Sequence, residues 1–257
     1  MPEGDTVFFA AARLRRALAG KVLTRSDFRV PRYATLDLRG QRVESVGSYG
    51  KHLFVRTPEL SIHTHLKMEG VYRVYTPGQR WTKPAFTARL ILATDDAEAV
   101  GFSLGLVEVL PRTAEHTATA HLGPDLLGPN WDAAEAIRRI SEHPDQPIGV
   151  ALLDQRNLAG IGNKYRSEIC FLRRVHPATP VARVADLPAL VDEAHRVLTR
   201  AAHHPPWREL AYGRQRRPCR RCGTNLVVHL LADDPALARA DRGIYFCPRC
   251  QPEPPGP

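Results

Sequence analysis

Four cysteines near the C-terminal end constrain this chain more than any other feature. They fall as Cys219-x-x-Cys222 and Cys247-x-x-Cys250, with 24 residues between the pairs. Two such knuckles can converge on one tetrahedral metal, and four thiolates suit zinc. The spacing exceeds the usual range of about 15 to 20 residues. The excess reads as an inserted loop, Ala232 to Asp241, rich in Asp and Ala. Two disulfides or a redox pair are the alternatives for the same residues. No signal peptide and no apolar run long enough to span a membrane are seen, so reduced thiols in a cytoplasmic chain and one structural Zn2+ are expected. The fifth cysteine, Cys170, lies in Ile169-Cys170-Phe171-Leu172 and reads as a buried small hydrophobe.

The other end of the chain opens Met1-Pro2-Glu3-Gly4-Asp5-Thr6. Removal of the initiator Met would expose the secondary amine of Pro2 beside the carboxylate of Glu3. A secondary amine that attacks a carbonyl-like carbon gives an iminium with no N–H to lose, which is the electron sink that covalent catalysis uses. An ordinary capped start fits the same residues. Val7, Ala10, Ala11, Leu14, Ala17 and Leu18 recur at helical spacing, with Asp5 or Thr6 as the cap and Gly20 as the stop. Pro2 and Glu3 would then sit at the positive end of a helix dipole.

Between the two ends the pattern changes twice. Short β-branched runs at 22–23, 42–46, 52–55, 70–75 and 88–92 predict an antiparallel sandwich or barrel. Residues 111–125 read as a linker, after which helical periodicity returns at 131–140, 150–158, 164–172 and 187–202. A net charge of +9, with only five Lys among 36 basic residues, favours a polyanionic partner met by arginine. In Leu158-Ala159-Gly160-Ile161-Gly162-Asn163, two glycines and an Asn interrupt two helices. That junction could bind phosphate at the start of the second helix, or be a plain helical hairpin.

Taken in order, Pro2-Glu3-Gly4, Gly50-Lys51-His52-Leu53, His65-Leu66-Lys67-Met68-Glu69-Gly70, Leu122-Gly123-Pro124-Asp125, the 152–168 segment and the final Cys247-Pro248-Arg249-Cys250-Gln251 resemble the formamidopyrimidine-DNA glycosylase and endonuclease VIII family of base-excision repair enzymes. The resemblance spans nearly the whole chain. It implies an α+β multidomain fold: an N-terminal helix with an antiparallel β-sandwich over 2–115, a helix-two-turn-helix domain over 121–213, a four-cysteine zinc finger over 214–251 and a disordered tail over 252–257. The implied partner is damaged DNA, bound by a monomer in the bacterial nucleoid with no membrane involved.

The same resemblance implies roles for individual residues. Pro2 would attack the anomeric carbon of a flipped nucleotide, and Glu3 would donate the proton that opens the sugar ring. Lys51 would assist β-elimination and hold a phosphate. Arg242, five residues before the third cysteine, would grip the phosphate beside the lesion and support δ-elimination. Asn163 would contact the backbone, Lys67 and Met68 would lie in the loop that fills the hole left by the flipped base, and His121 would replace an Arg phosphate clamp of endonuclease VIII. Met68 could instead be core filling, and Lys51 one surface lysine among others.

The family's second Pro-Glu pair is Asp5-Thr6 here, so a carboxylate has become a hydroxyl. The stretch 102–110 lacks the Pro-Arg-Arg-Phe-Gly run of formamidopyrimidine-type enzymes and looks like the matching strand of endonuclease VIII. The resemblance therefore implies removal of oxidised pyrimidines and lyase action at abasic sites. An 8-oxoguanine or formamidopyrimidine-type enzyme, or a non-catalytic zinc-finger protein that binds damaged DNA, are the alternatives.

Overall fold

The computed structural model describes residues 2–231 and 243–254. They form two compact units, one ending at His121 and the other beginning at Leu122. The inserted loop Ala232 to Asp241, Arg242 and the last three tail residues lie outside the described residues.

Helix α1 (Gly4–Leu18) opens the first unit. Its buried Val7, Ala11, Leu14 and Leu18 recur every three or four residues, which makes one apolar stripe. The helix starts earlier than the expected Asp5 or Thr6 cap. Glu3 is the N-cap residue, its carbonyl accepting Val7 N–H at 3.1 Å, so Asp5 falls in the first turn. Gly20, with φ +78°, takes the left-handed position beyond the helix end that a side chain would disfavour.

Eight strands follow: β1 (Arg25–Phe28), β2 (Ser45–Tyr49), β3 (His52–Arg56), β4 (Leu60–His65), β5 (Val71–Tyr75), β6 (Ala88–Ala93), β7 (Glu98–Phe102) and β8 (Leu106–Pro111). They make two four-stranded antiparallel sheets, ordered β1-β6-β7-β5 and β2-β3-β4-β8. Period-2 alternation decides which side chains meet. Leu90 and Leu92 join Leu53, Val55, Ile62 and the α1 stripe in one core, while Ile91 turns outward to a smaller cluster with Val100, Phe102 and Trp81. This is the expected sandwich. The segment read as a linker contains a 3-10 helix, Arg112–Ala118.

The second unit is built on helices α2 (Ala133–Ser141), α3 (Ile148–Ala151), α4 (Asn163–Arg173) and α5 (Leu187–His203). Asp132 and Asp186 cap α2 and α5 by accepting backbone N–H groups three residues on. The helix expected over 150–158 is only the single turn α3. Asp154 accepts the Arg156 N–H at 2.9 Å and Asn157 donates to the Ala151 carbonyl at 3.0 Å. Such short polar side chains compete with helical hydrogen bonding and end the helix. The chain then forms a parallel bridge, Asp125 to Ala159, beside Gly123. A Cβ on Gly123 would lie 2.4 Å from the Asn157 backbone, so only glycine allows this approach.

The strands β9 (Val227–His229) and β10 (Ile244–Phe246) pair antiparallel in the cysteine-bearing segment. That segment shares a core with α4, in which Phe171 packs with Ala211, Cys219, Leu226 and Cys247. The buried carboxylate of Glu168 ties α4 to the loop leading into that segment by accepting N–H groups from Leu210, Ala211 and Tyr212, each at 2.8 Å, and from Trp207 Nε1 at 3.1 Å. Arg221 donates to the Phe171 and Leu172 carbonyls at the end of α4, where a cation also complements the helix dipole.

Candidate functional site

In the first unit, the family-like residues collect at identifiable structural positions. Glu3 is 1% exposed and Pro2 partly exposed, both immediately before α1, so the Pro2 nitrogen and the Glu3 carboxylate are held at the head of a packed helix. Gly50 and Lys51 form the two-residue turn between β2 and β3, closed by the Tyr49–His52 pair. Gly50 has φ +54°, the left-handed geometry such a hairpin needs. Lys51 therefore rides the tip of a tight turn.

The connection from β4 to β5 is equally constrained. Leu66 is buried, and Gly70 N–H returns to the Leu66 carbonyl at 2.9 Å, a closure a Cβ on Gly70 would block at 2.4 Å. Lys67 has φ +54°, and its stem crosses Gly105 where a Cβ would lie 2.1 Å from Cγ. Between these anchors Met68 is 61% exposed at the loop tip, which is not a core-filling position. The next turn, between Phe102 and Leu106, is short, and its Leu104 is buried.

The pairing of His52 with His65, and of His65 with Leu106, sets these turns at one end of the second sheet. A histidine cluster occupies that end. His52 Nδ1 lies 2.8 Å from His63 Nε2, and His63 Nδ1 lies 3.1 Å from Glu108 Oε2. His65 meets His52 edge-on with ring centres 5.1 Å apart, and His121 does so at 6.4 Å. Burial, followed by the neighbouring histidines and Lys67, pushes His52 down to about 3. Burial, then Lys67 and Lys51, takes His65 to about 4. Both rings are thus neutral at ordinary pH. Sequence reading named His121 but missed His63 and Glu108; the available signal was the alternation Ile62-His63-Thr64-His65, which sends both histidines to one face.

In the second unit Asn163 begins α4 and is buried. Its Nδ2 donates to the Gly243 carbonyl at 3.0 Å and its Oδ1 accepts from Arg166 Nε at 2.8 Å. The amide expected to face phosphate is thus engaged with the hairpin. Arg242, the neighbour of Gly243 in sequence, is among the residues not described.

The four cysteines converge. Their sulfurs all lie within 4.8 Å of one another, with Cys219–Cys250 at 3.9 Å and Cys222–Cys247 at 3.5 Å. A tetrahedron with metal–sulfur bonds of about 2.3 Å has edges of about 3.8 Å, whereas a disulfide requires about 2 Å. Arg221 N–H points at Cys219 Sγ and Cys250 N–H at Cys247 Sγ, the knuckle contacts that support thiolate charge. The donor set fits one zinc ion. Cys170 is apart from it, fully buried, its thiol pushed up to about 12 by burial.

Comparison with known proteins agrees with this arrangement. Residues 1–103 match the formamidopyrimidine-DNA glycosylase N-terminal domain and residues 122–205 the formamidopyrimidine-DNA glycosylase H2TH domain. The chain is 49% identical to "Probable endonuclease 8 2" of Streptomyces coelicolor, over 99% of this chain and 95% of that protein. It is 46% identical to the DNA-(apurinic or apyrimidinic site) lyase Nei2 of Mycolicibacterium smegmatis, over 98% and 99% respectively. Among solved structures, the Lactococcus lactis formamidopyrimidine-DNA glycosylase bound to DNA containing an abasic site superposes with a TM-score of 0.83 at 21% identity, covering 98% of this chain and all of that one.

Proposed function

We infer, since this chain belongs to the formamidopyrimidine-DNA glycosylase and endonuclease VIII family, that it is a DNA glycosylase with abasic-site lyase activity directed at oxidised pyrimidines in damaged DNA. The observation that carries the chemistry is the start of the chain. Pro2 directly precedes a buried Glu3 at the head of α1, so a nucleophilic amine and a proton donor are held together by a packed element.

On this reading, the Pro2 nitrogen bonds to the anomeric carbon of the extruded nucleotide while Glu3 protonates the ring oxygen, and the base departs to leave an iminium. Lys51, at its hairpin tip, holds a backbone phosphate during β-elimination, and Arg242 supports the second elimination. Lys67 and His121 contribute further backbone contacts. Asn163, with its side chain given to Gly243, serves the DNA through the start of α4 and through the hairpin it braces. One Zn2+ on Cys219, Cys222, Cys247 and Cys250 keeps that hairpin folded. The chain acts as a monomer in the bacterial cytoplasm, at the nucleoid; no helix among the described residues is long and apolar enough to cross a membrane.

The pyrimidine preference is supported by the two turns at the end of the sheets. Met68 is an exposed apolar tip that can replace a stacked base. The short turn after Phe102 buries its own Leu104 and offers no Arg to read an opposite cytosine. Parallel incision assays test this: thymine glycol and dihydrouracil should be removed faster than 8-oxoguanine paired with cytosine. The reverse order would reject the substrate class while leaving the lyase chemistry intact.

A further inference from the structure

The histidine cluster has a polarity that follows from its hydrogen bonds. A carboxylate can only accept, so with Glu108 Oε2 at 3.1 Å the hydrogen of His63 resides on Nδ1. A neutral His63 then presents Nε2 as an acceptor, and His52 Nδ1, 2.8 Å away, must donate to it. His52 is thereby fixed as the tautomer whose Nε2 keeps its lone pair. His65 is fixed in the opposite sense, because its Nδ1 accepts the Lys67 N–H at 2.9 Å and its hydrogen must be on Nε2. Of these three rings, only His52 therefore has an unprotonated nitrogen not already engaged by His63, Glu108 or Lys67.

The sheet builds this order deliberately into one face. His52 and Phe54 on β3, His65 and His63 on β4, and Glu108 on β8 all project opposite to the core-facing Leu53, Val55, Ile62 and Val109. Phe54 stacks on His63 at 4.8 Å with 13° between the planes and fixes its orientation.

We propose that Glu108, His63 and His52 form a proton relay for the strand-cleavage half of the reaction, with His52 Nε2 as its accepting end and the Glu108 carboxylate as its sink. The proposal rests on the Pro2 iminium reading. In the iminium, the C2′ hydrogen leaves as a proton to His52 Nε2, and the C–H electron pair forms a C1′–C2′ double bond that neutralises the nitrogen. As the C3′–O bond breaks, its electrons depart with the 3′ phosphate, and the C1′–C2′ pair moves to C2′–C3′, restoring the iminium. Meanwhile His52 passes its Nδ1 hydrogen to His63 Nε2, and His63 passes its own to Glu108, so the chain ends neutral.

The neighbouring Lys51 suits this role less well, since an ammonium has no lone pair to receive a proton. The groups facing the relay are Lys51, Lys67, His65, His121 and Glu115. Together with burial, His65, His121 and Lys67 keep His52 neutral and ready to accept, while Glu108 and Glu115 oppose the downward push on His63. Weak basicity of one buried ring is offset because the charge passes to a carboxylate rather than resting on the imidazole.

Single-turnover reactions on abasic duplex DNA, with iminium formation read by borohydride trapping and cleavage read on a gel, test the relay. His52→Ala and Glu108→Gln should each lower the ratio of cleavage to trapping by about 100-fold, the low end of general-base effects. Added imidazole should restore cleavage by His52→Ala. Glu108→Gln, at a side chain 33% exposed, preserves the shape of the site and keeps the test open if the alanine variant misfolds. An unchanged ratio, or trapping and cleavage falling in parallel, overturns the relay. Absence of trapping in the unaltered protein would instead remove the iminium reading beneath it.

Discussion

Asn163 Nδ2 donates to the carbonyl of Gly243 at 3.0 Å, so a single buried amide joins the start of α4 to the hairpin of the cysteine-bearing segment. A second tie, from Tyr245 N–H to Ser167 Oγ at 3.3 Å, lies one turn along the helix. Together they make the hairpin's position depend on α4. Asn163→Ala should cost about 1 to 3 kcal/mol, because it removes the amide donor to the half-buried Gly243 carbonyl and one acceptor of the buried Arg166 guanidinium, which keeps its bond to the Gly149 carbonyl. Chemical denaturation measures the loss. Equal stability of variant and parent would mean that the tie contributes nothing.

A zinc ion on the four cysteines would hold the finger as well as this contact does. Elemental analysis should find one zinc per chain, and chelation should abolish DNA cleavage while the β-sheet signal of the first unit persists. Because Cys219 and Cys247 share a core with Phe171 and Leu226, chelation should also expose apolar surface at the end of α4. Full incision by metal-free protein would contradict the zinc assignment.

Glu168 is a buried anion with four N–H donors and no role in the chemistry. Glu168→Ala should destabilise the second unit by roughly 3 kcal/mol, since hydrogen bonds to a charged group are worth more than neutral ones and the loop 207–212 loses its anchor. Thermal unfolding followed by helix signal checks this. A change below about 0.5 kcal/mol would show that the loop holds without the carboxylate.

Much of this was legible because some residues carry their geometry with them. Two Cys-x-x-Cys pairs specify one site from any distance, and the 7, 11, 14, 18 stripe specifies α1. The strands β1, β4 and β7 were missed for a physical reason. In β4, Ser61, His63 and His65 break the β-branched signature, yet the strand is largely buried, with His63 meeting His52 and Glu108 across the sheet. Such partners are set by register, which no local pattern reveals. The Glu108–His63–His52 chain was invisible for the same reason: its members lie 45 and 11 residues apart and meet only once β3, β4 and β8 pair. Helix α3 was overextended because periodicity continued past Leu152, whereas Asp154 and Asn157 turn the backbone away.

DNA affinity should fall steeply with salt. Lys51→Ala and Arg242→Ala should each reduce the log–log salt slope by about 0.9, the amount expected for one lost phosphate contact. Arg242→Ala should also stall the reaction after β-elimination. An unchanged slope and a full second elimination would remove Arg242 from the interface.

The central claim is that the amine of Pro2 forms the covalent intermediate, and borohydride reduction during incubation with abasic DNA tests it most directly. With a free Pro2 terminus, a protein–DNA adduct should accumulate, and peptide mapping should locate it on the first residue. Retaining any residue before Pro2 should abolish the adduct without altering the fold, since a blocked nitrogen cannot form an iminium. Undiminished trapping by the blocked protein, or an adduct mapped to a lysine, would contradict the account.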